Sequence, residues 1–280
     1  MRLHAEDEAD ATEGDCFATA PDRGENAQVM HGELFQPTIP FGEPLLSRAS
    51  AFLRYLDESA AESMPDGVST RLSQLSPSLQ ADLLRFEQDG GGSETIEVIA
   101  ACIRHSKRVT IHLQCIDRVV PLTVFPQERL VHCPLSMAEL TERHVPTMRV
   151  LQVEPALLRP PGDPLLALVG DAQLHYPLQP LVWELAMRGP RRDLLPEIAG
   201  PAVYRVAPAL HAAGLPPSGA LRAAIERLRR QPASLNEIAS WPALDRERAS
   251  RMLNALYLQA GLMVSRSHPD AVRDSWFGGA

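Results

Sequence analysis

Lysine is almost missing from this sequence: of 27 Lys and Arg residues, only Lys107 is a lysine. Arginine favours bidentate and stacked contacts, but a bias this complete reads first as codon usage in a GC-rich genome, and so as bacterial. Cysteine is scarce as well. Cys16, Cys102, Cys115 and Cys133 are too few and too scattered for a disulfide framework. No run approaches the ~18 apolar residues of a membrane span, and no basic segment followed by an apolar one opens the chain. These absences predict a reduced, cytoplasmic, soluble protein with no membrane partner.

Catalytic signatures are lacking too. There is no Gly-x-Ser-x-Gly elbow, no His-Glu-x-x-His and no dinucleotide-binding glycine fingerprint, so the expectation is a non-enzymatic protein without catalytic residues, cofactor or metal. Net positive charge is missing as well. At −8 the molecule as a whole has no long-range attraction for phosphate backbones, and any nucleic-acid role must be local.

What is present suits two domains: 280 residues, 45% of them apolar and 22% charged. Glu6, Asp7, Glu8, Asp10, Glu13 and Asp15 crowd the start of the chain. Residues 1–28 therefore read as a disordered acidic tail, with a basic surface in cis as its conceivable seat. An α+β domain is expected over 29–154. Its first helix carries Leu45, Leu46, Ala49, Phe52, Leu53 and Leu56. A second passage restarts at Pro77, and a third helix carries Ile96, Ile99 and Ile103, with Ser93 as its N-cap.

The glycine run 90–92 lacks the Lys-Ser/Thr pair of a phosphate loop and reads as a connector. Val109, Ile111, Leu113 and Cys115 then alternate with polar residues. Val120, Leu122 and Val124 follow, then Leu130, Val131 and Cys133, with connections short enough to imply an antiparallel meander. A short helix over 137–143 and a fourth strand over 148–153 complete the sheet.

Residues 155–214 read as a proline-rich helical connector. In it 165–169 is one more candidate strand, 178–188 a helix, and 191–213 short helices broken by prolines. One cluster has metal-ligand types: Cys102, His105, His112, Cys115, His132 and Cys133. Strand geometry argues against it, because i and i+3 side chains on a strand point to opposite faces. The cysteines read as small core residues.

The last segment, 215–270, is followed by a tail, 271–280. Leu221, Ala224, Ile225 and Leu228 form a helical stripe, Ser234 to Glu237 a capping box, and Trp241-Pro242 a turn. Asp245 N-caps a third helix with core face Ala249, Met252, Leu253, Leu256, Tyr257 and Ala260, and a β-prone stretch over 261–266 ends the unit. This order resembles a winged helix-turn-helix domain. The resemblance implies that the third helix presents its outer face to a partner, which in DNA-binding members is the major groove.

At ~100° per residue that face carries Glu247, Arg251, Asn254, Ala255 and Leu258, flanked by Arg246, Arg248 and Arg266. Arg251 and Asn254 suit base edges and the flanking arginines suit phosphates. Glu247 repels phosphate, and Leu258 exposes an apolar group where DNA offers little to bury. A protein partner or homo-oligomer is therefore the first expectation for an adaptor or regulatory protein. A transcriptional regulator binding double-stranded DNA is the alternative.

Overall fold

Alternate residues of Val109–Cys115 (β1) are fully buried or half-buried in strict sequence, the pattern of a strand with one face on a core. The computed structural model describes residues 46–62, 75–88, 94–208 and 219–267, all of them within one compact unit, Gly42–Ala280. β1 pairs antiparallel with Arg118–Phe125 (β2) and with Arg149–Pro155 (β4). β2 pairs in turn with Leu130–His132 (β3), and β3 with His175–Pro177 (β5), giving the order β4-β1-β2-β3-β5. On the inner face Val109 meets Val124, Ile111 meets Leu122 and Leu113 meets Val120, and all six are fully buried.

Helices flank this sheet, and the fold is α+β. Ala49–Glu62 (α1) joins it through backbone bonds at its start: Ala49 N–H donates to the Asp117 carbonyl at 2.7 Å and Val119 N–H to the Ser47 carbonyl at 2.9 Å. Pro77–Gln88 (α2) begins at the proline, whose missing N–H costs nothing in a first turn. Thr95–His105 (α3) is capped by Glu94 rather than Ser93, with the Glu97 carboxylate accepting from the Glu94 N–H at 3.3 Å. Met137–Glu139 (α4) runs on as a wide turn over Leu140–His144. Leu178–Arg188 (α5) places Leu181, Val182, Trp183 and Leu185 in the core.

A second, three-stranded sheet holds the C-terminal part, in the order Ala233–Ser234 (β7), Val203–Val206 (β6), Leu262–Ser265 (β8). Between its strands lie Ala220–Arg230 (α6), Leu235–Ala239 (α7) and Arg246–Leu258 (α8). Both expected caps are present: Ser234 Oγ accepts from Glu237 N–H at 3.3 Å, and Asp245 Oδ1 from Arg248 N–H at 2.7 Å. The expected β-prone tail is β8.

Its partner strand was not foreseen. Residues 191–213, expected as short helices, contain the central strand β6, because Val203-Tyr204-Arg205-Val206 is β-prone and Pro201 and Pro208 mark its ends rather than breaks in a helix. The candidate strand at 165–169 is instead a single 3-10 turn, Leu166–Leu168. The stretch expected as a connector, 155–214, supplies β5 to one sheet, β6 to the other and α5 to the core. That core runs without a break from Leu75 to Leu258.

Candidate functional site

The third helix of the C-terminal unit, α8, is buried on two sides. Ala249, Met252, Leu253 and Leu256 are fully buried on its expected core face. The opposite face was expected to be exposed, and most of it is not: Asn254 and Ala255 are 0% exposed and Leu258 is 7% exposed, while the Glu247 side chain keeps 43% of its surface. α5 and the turns that follow it lie over this face. A helix enclosed in this way cannot enter a DNA groove with Asn254 and Leu258 while α5 stays in place.

The polar side chains Asn254 and Arg251 are spent mainly on backbone. Asn254 Oδ1 accepts from the Leu195 N–H at 2.8 Å, and its Nδ2 donates to the Asp193 carbonyl at 2.9 Å. Arg251 Nη1 donates to the carbonyls of Met187 and Gly189 at 3.0 and 2.8 Å and, at 3.3 Å, to that of Ala186, while Nε meets Glu247 Oε1 at 3.0 Å. A cation on the orphan carbonyls at the end of α5 also complements that helix's dipole. Arg266 donates to the Glu197 and Ala199 carbonyls at 2.9 Å each. Arg248 Nη1 donates to the Ala243 carbonyl at 3.0 Å, and Arg246 Nη1 to Asn236 Oδ1 at 2.9 Å. The predicted set is thus brought together around α8. Arg251, Asn254 and Arg266 act there as a clamp on residues 186–199 and Leu258 is buried near Leu178 and Val182 of α5, while Arg246 and Arg248 stay exposed.

The six metal-ligand types do not converge. Cys102, Cys115 and Cys133 are free and buried, and burial pushes each thiol up to about 12. His112 lies on the other face of the sheet from Cys115, stacked on Phe52 with ring centroids 4.9 Å apart and bonded to Glu154 Oε1 at 2.9 Å. His105 pairs with Asp82 at 2.7 Å. Among the described residues no group of three or more His, Cys, Asp or Glu side chains is placed to hold a metal ion.

His132 and His175 are neighbours across β3 and β5, with ring centroids 4.9 Å apart. Burial, and then the neighbouring His175, lower the His132 pKa from 6.5 to about 4. Gly170 packs against His132, since a Cβ there would lie 3.3 Å from the imidazole Nε2. The segment 156–174 therefore covers part of the outer face of the five-stranded sheet.

That segment holds a feature that sequence reading missed. Leu157, Leu165, Leu166 and Leu168 are 79%, 55%, 74% and 42% exposed. The loop that carries them is closed by its own bonds: Arg159 N–H to the Leu168 carbonyl at 2.8 Å, Leu168 N–H to the Leu165 carbonyl at 2.9 Å, and Leu165 N–H to Asp163 Oδ1 at 3.0 Å. Its apolar residues stand outside any helical or strand period, so pattern alone could not separate them from a buried strand. Comparison with known protein families, curated proteins and solved structures finds no match.

Proposed function

We propose that this chain is a cytosolic, non-enzymatic adaptor or regulatory protein that engages a protein partner through the leucine loop 156–169. The C-terminal winged helix-like unit serves as its internal brace. The observation that carries this reading is the set of four exposed leucines on a loop that its own hydrogen bonds hold in shape. Apolar side chains gathered on an ordered loop mark interaction sites far more often than scattered ones do. Each leucine is worth about 1.5–3 kcal/mol on full burial, so two or three suffice to anchor a partner that offers an apolar groove. The three buried free thiols support a reducing compartment.

The surface proposed for the partner is thus not the α8 face from which the resemblance would place it. A DNA-binding role would require α8 to leave α5 and give up the Arg251 and Asn254 bonds.

The test is a photo-reactive leucine analogue placed at position 166 of the full chain, with position 54 on α1, also exposed, as control. An adduct to one polypeptide that appears at 166 and not at 54, and is lost on Leu165→Asp, supports the proposal. An adduct only to a second copy of the chain turns the partner into a homo-oligomer. No adduct, together with salt-sensitive binding to duplex DNA that Arg248→Ala weakens, overturns it.

A further inference from the structure

A cleft of about 520 Å³ lies between the turns at 193–202 and the α7–α8 pair, within the range of about 300–1,000 Å³ typical of small-molecule sites. Its floor is Leu194, Ala202, Leu235 and Ser250, and its rim carries Asp193, Asn236 and Arg246. The rim is fixed in place. Asn254 holds the Asp193 and Leu195 backbone, Arg266 holds the Glu197 and Ala199 carbonyls, and the Tyr204 hydroxyl donates to the Ile198 carbonyl at 2.7 Å.

The charges on this rim are not matched by ion pairs among the described residues. Arg246 and Asp193 line the same cleft, yet no ion pair joins them, and neither pairs with any other charged group among the described residues. Arg246 spends one nitrogen on Asn236 and leaves the rest of its fork free. It also stands in the first turn of α8, where a cation opposes the helix dipole and an arriving anion is favoured. Ser250, 1% exposed, lines the floor.

We infer that this cleft binds a small zwitterion of the amino-acid type. Its carboxylate would lie on the Arg246 guanidinium, its ammonium on the Asp193 carboxylate, and its body over Leu194, Ala202 and Leu235 within reach of the Ser250 hydroxyl. A planar fork suits a carboxylate, and a site that carries one charge of each sign rejects simple anions and simple amines alike, because either leaves one group unmatched. Occupancy would draw Asp193 toward Arg246, next to the backbone that Asn254 clamps to α8, and so tighten the cover over that helix. This inference does not rest on the leucine loop.

The test is calorimetric titration and thermal shift of the full chain with the free L-amino acids, their N-acetyl and amide derivatives, acetate and methylamine. At least one free amino acid is expected to bind and raise the melting temperature. Blocking either of its ends, or substituting Arg246→Gln or Asp193→Asn, is expected to weaken binding by about tenfold or more. Two outcomes overturn the proposal. One is that no free amino acid binds at ~10 mM, a limit that would still reveal a millimolar site. The other is that blocked and free forms bind equally, which needs no variant and so does not depend on how the substitutions fold.

Discussion

Asn254→Ala separates a surface helix from a clamped one. Were the side chain exposed, its loss would change stability by no more than about 0.5 kcal/mol, as ordinary surface substitutions do. In the structure it is fully buried and makes two bonds to a segment about sixty residues upstream, one received from Leu195 N–H and one donated to the Asp193 carbonyl. Removing it forfeits two bonds of about 1 kcal/mol net each and leaves the Leu195 N–H without a partner, at a further cost of roughly 1 kcal/mol. We expect about 2–4 kcal/mol of destabilisation, and a melting temperature lower by roughly 4 °C or more for a domain of this size. Urea denaturation of the full chain measures it. Asn254→Asp is expected to cost at least as much, because a carboxylate would then face the Asp193 carbonyl in a buried site. A loss below about 0.5 kcal/mol in both variants would refute the clamp.

Three other outcomes follow from neighbouring groups. Arg251→Ala should cost about 1.5–3 kcal/mol by equilibrium unfolding, since charge-assisted bonds to three carbonyls at the end of α5 are lost; Arg251→Lys keeps the charge but not the fork and should fall between. His132 stays neutral when folded, with its pKa lowered from 6.5 to about 4 chiefly by burial. The folded chain therefore takes up this proton less readily than the unfolded one. The stability tied to it is whole above pH 6.5 and is lost as pH falls through 6.5 toward 4, and His132→Gln should flatten that part of the urea midpoint against pH. Cys102, Cys115 and Cys133, with thiols raised to about 12 by burial, should resist alkylation at neutral pH and react only in denaturant, as read by peptide mass.

The inner face of the five-stranded sheet was legible because one-sided burial writes a period of two into β1, and the short connections forced antiparallel order. The caps at Ser234 and Asp245 were legible because they are local chemistry. The environment of α8 was not. Periodicity sorts apolar from polar, and Arg251 and Asn254 are polar, so they sort with the surface. Their partners are backbone groups of residues 186–195, which leave no trace in side-chain identity. The clue was Leu258, a large apolar residue on a face that otherwise carries Glu247, Arg251, Asn254 and the small Ala255. It does mark a covered surface, but the cover is the chain's own α5. The leucine loop escaped for the opposite reason: exposed leucines look like a strand core until the 3-10 turn at 166–168 is seen.

The same contacts decide where the C-terminal unit begins. Residues 215–270, bounded by the likeness to a winged helix, leave out β6, yet β6 is the middle strand of its sheet: β7 and β8 each pair with it. Cut at 215, both would lose their only strand partner among the described residues, and the buried side chains of Asn254, Ala255 and Leu258 would face water. A two-residue strand and a four-residue strand with no partner between them cannot hold a sheet. The fragment 215–270 is therefore expected to unfold without a cooperative transition in circular dichroism, and the fragment 174–270, which restores β6, α5 and the residues that Arg251 and Asn254 bind, to regain one. A sharp transition in the short fragment, at the midpoint of the whole chain, would mean that the three helices stand alone and that the cover over α8 is incidental.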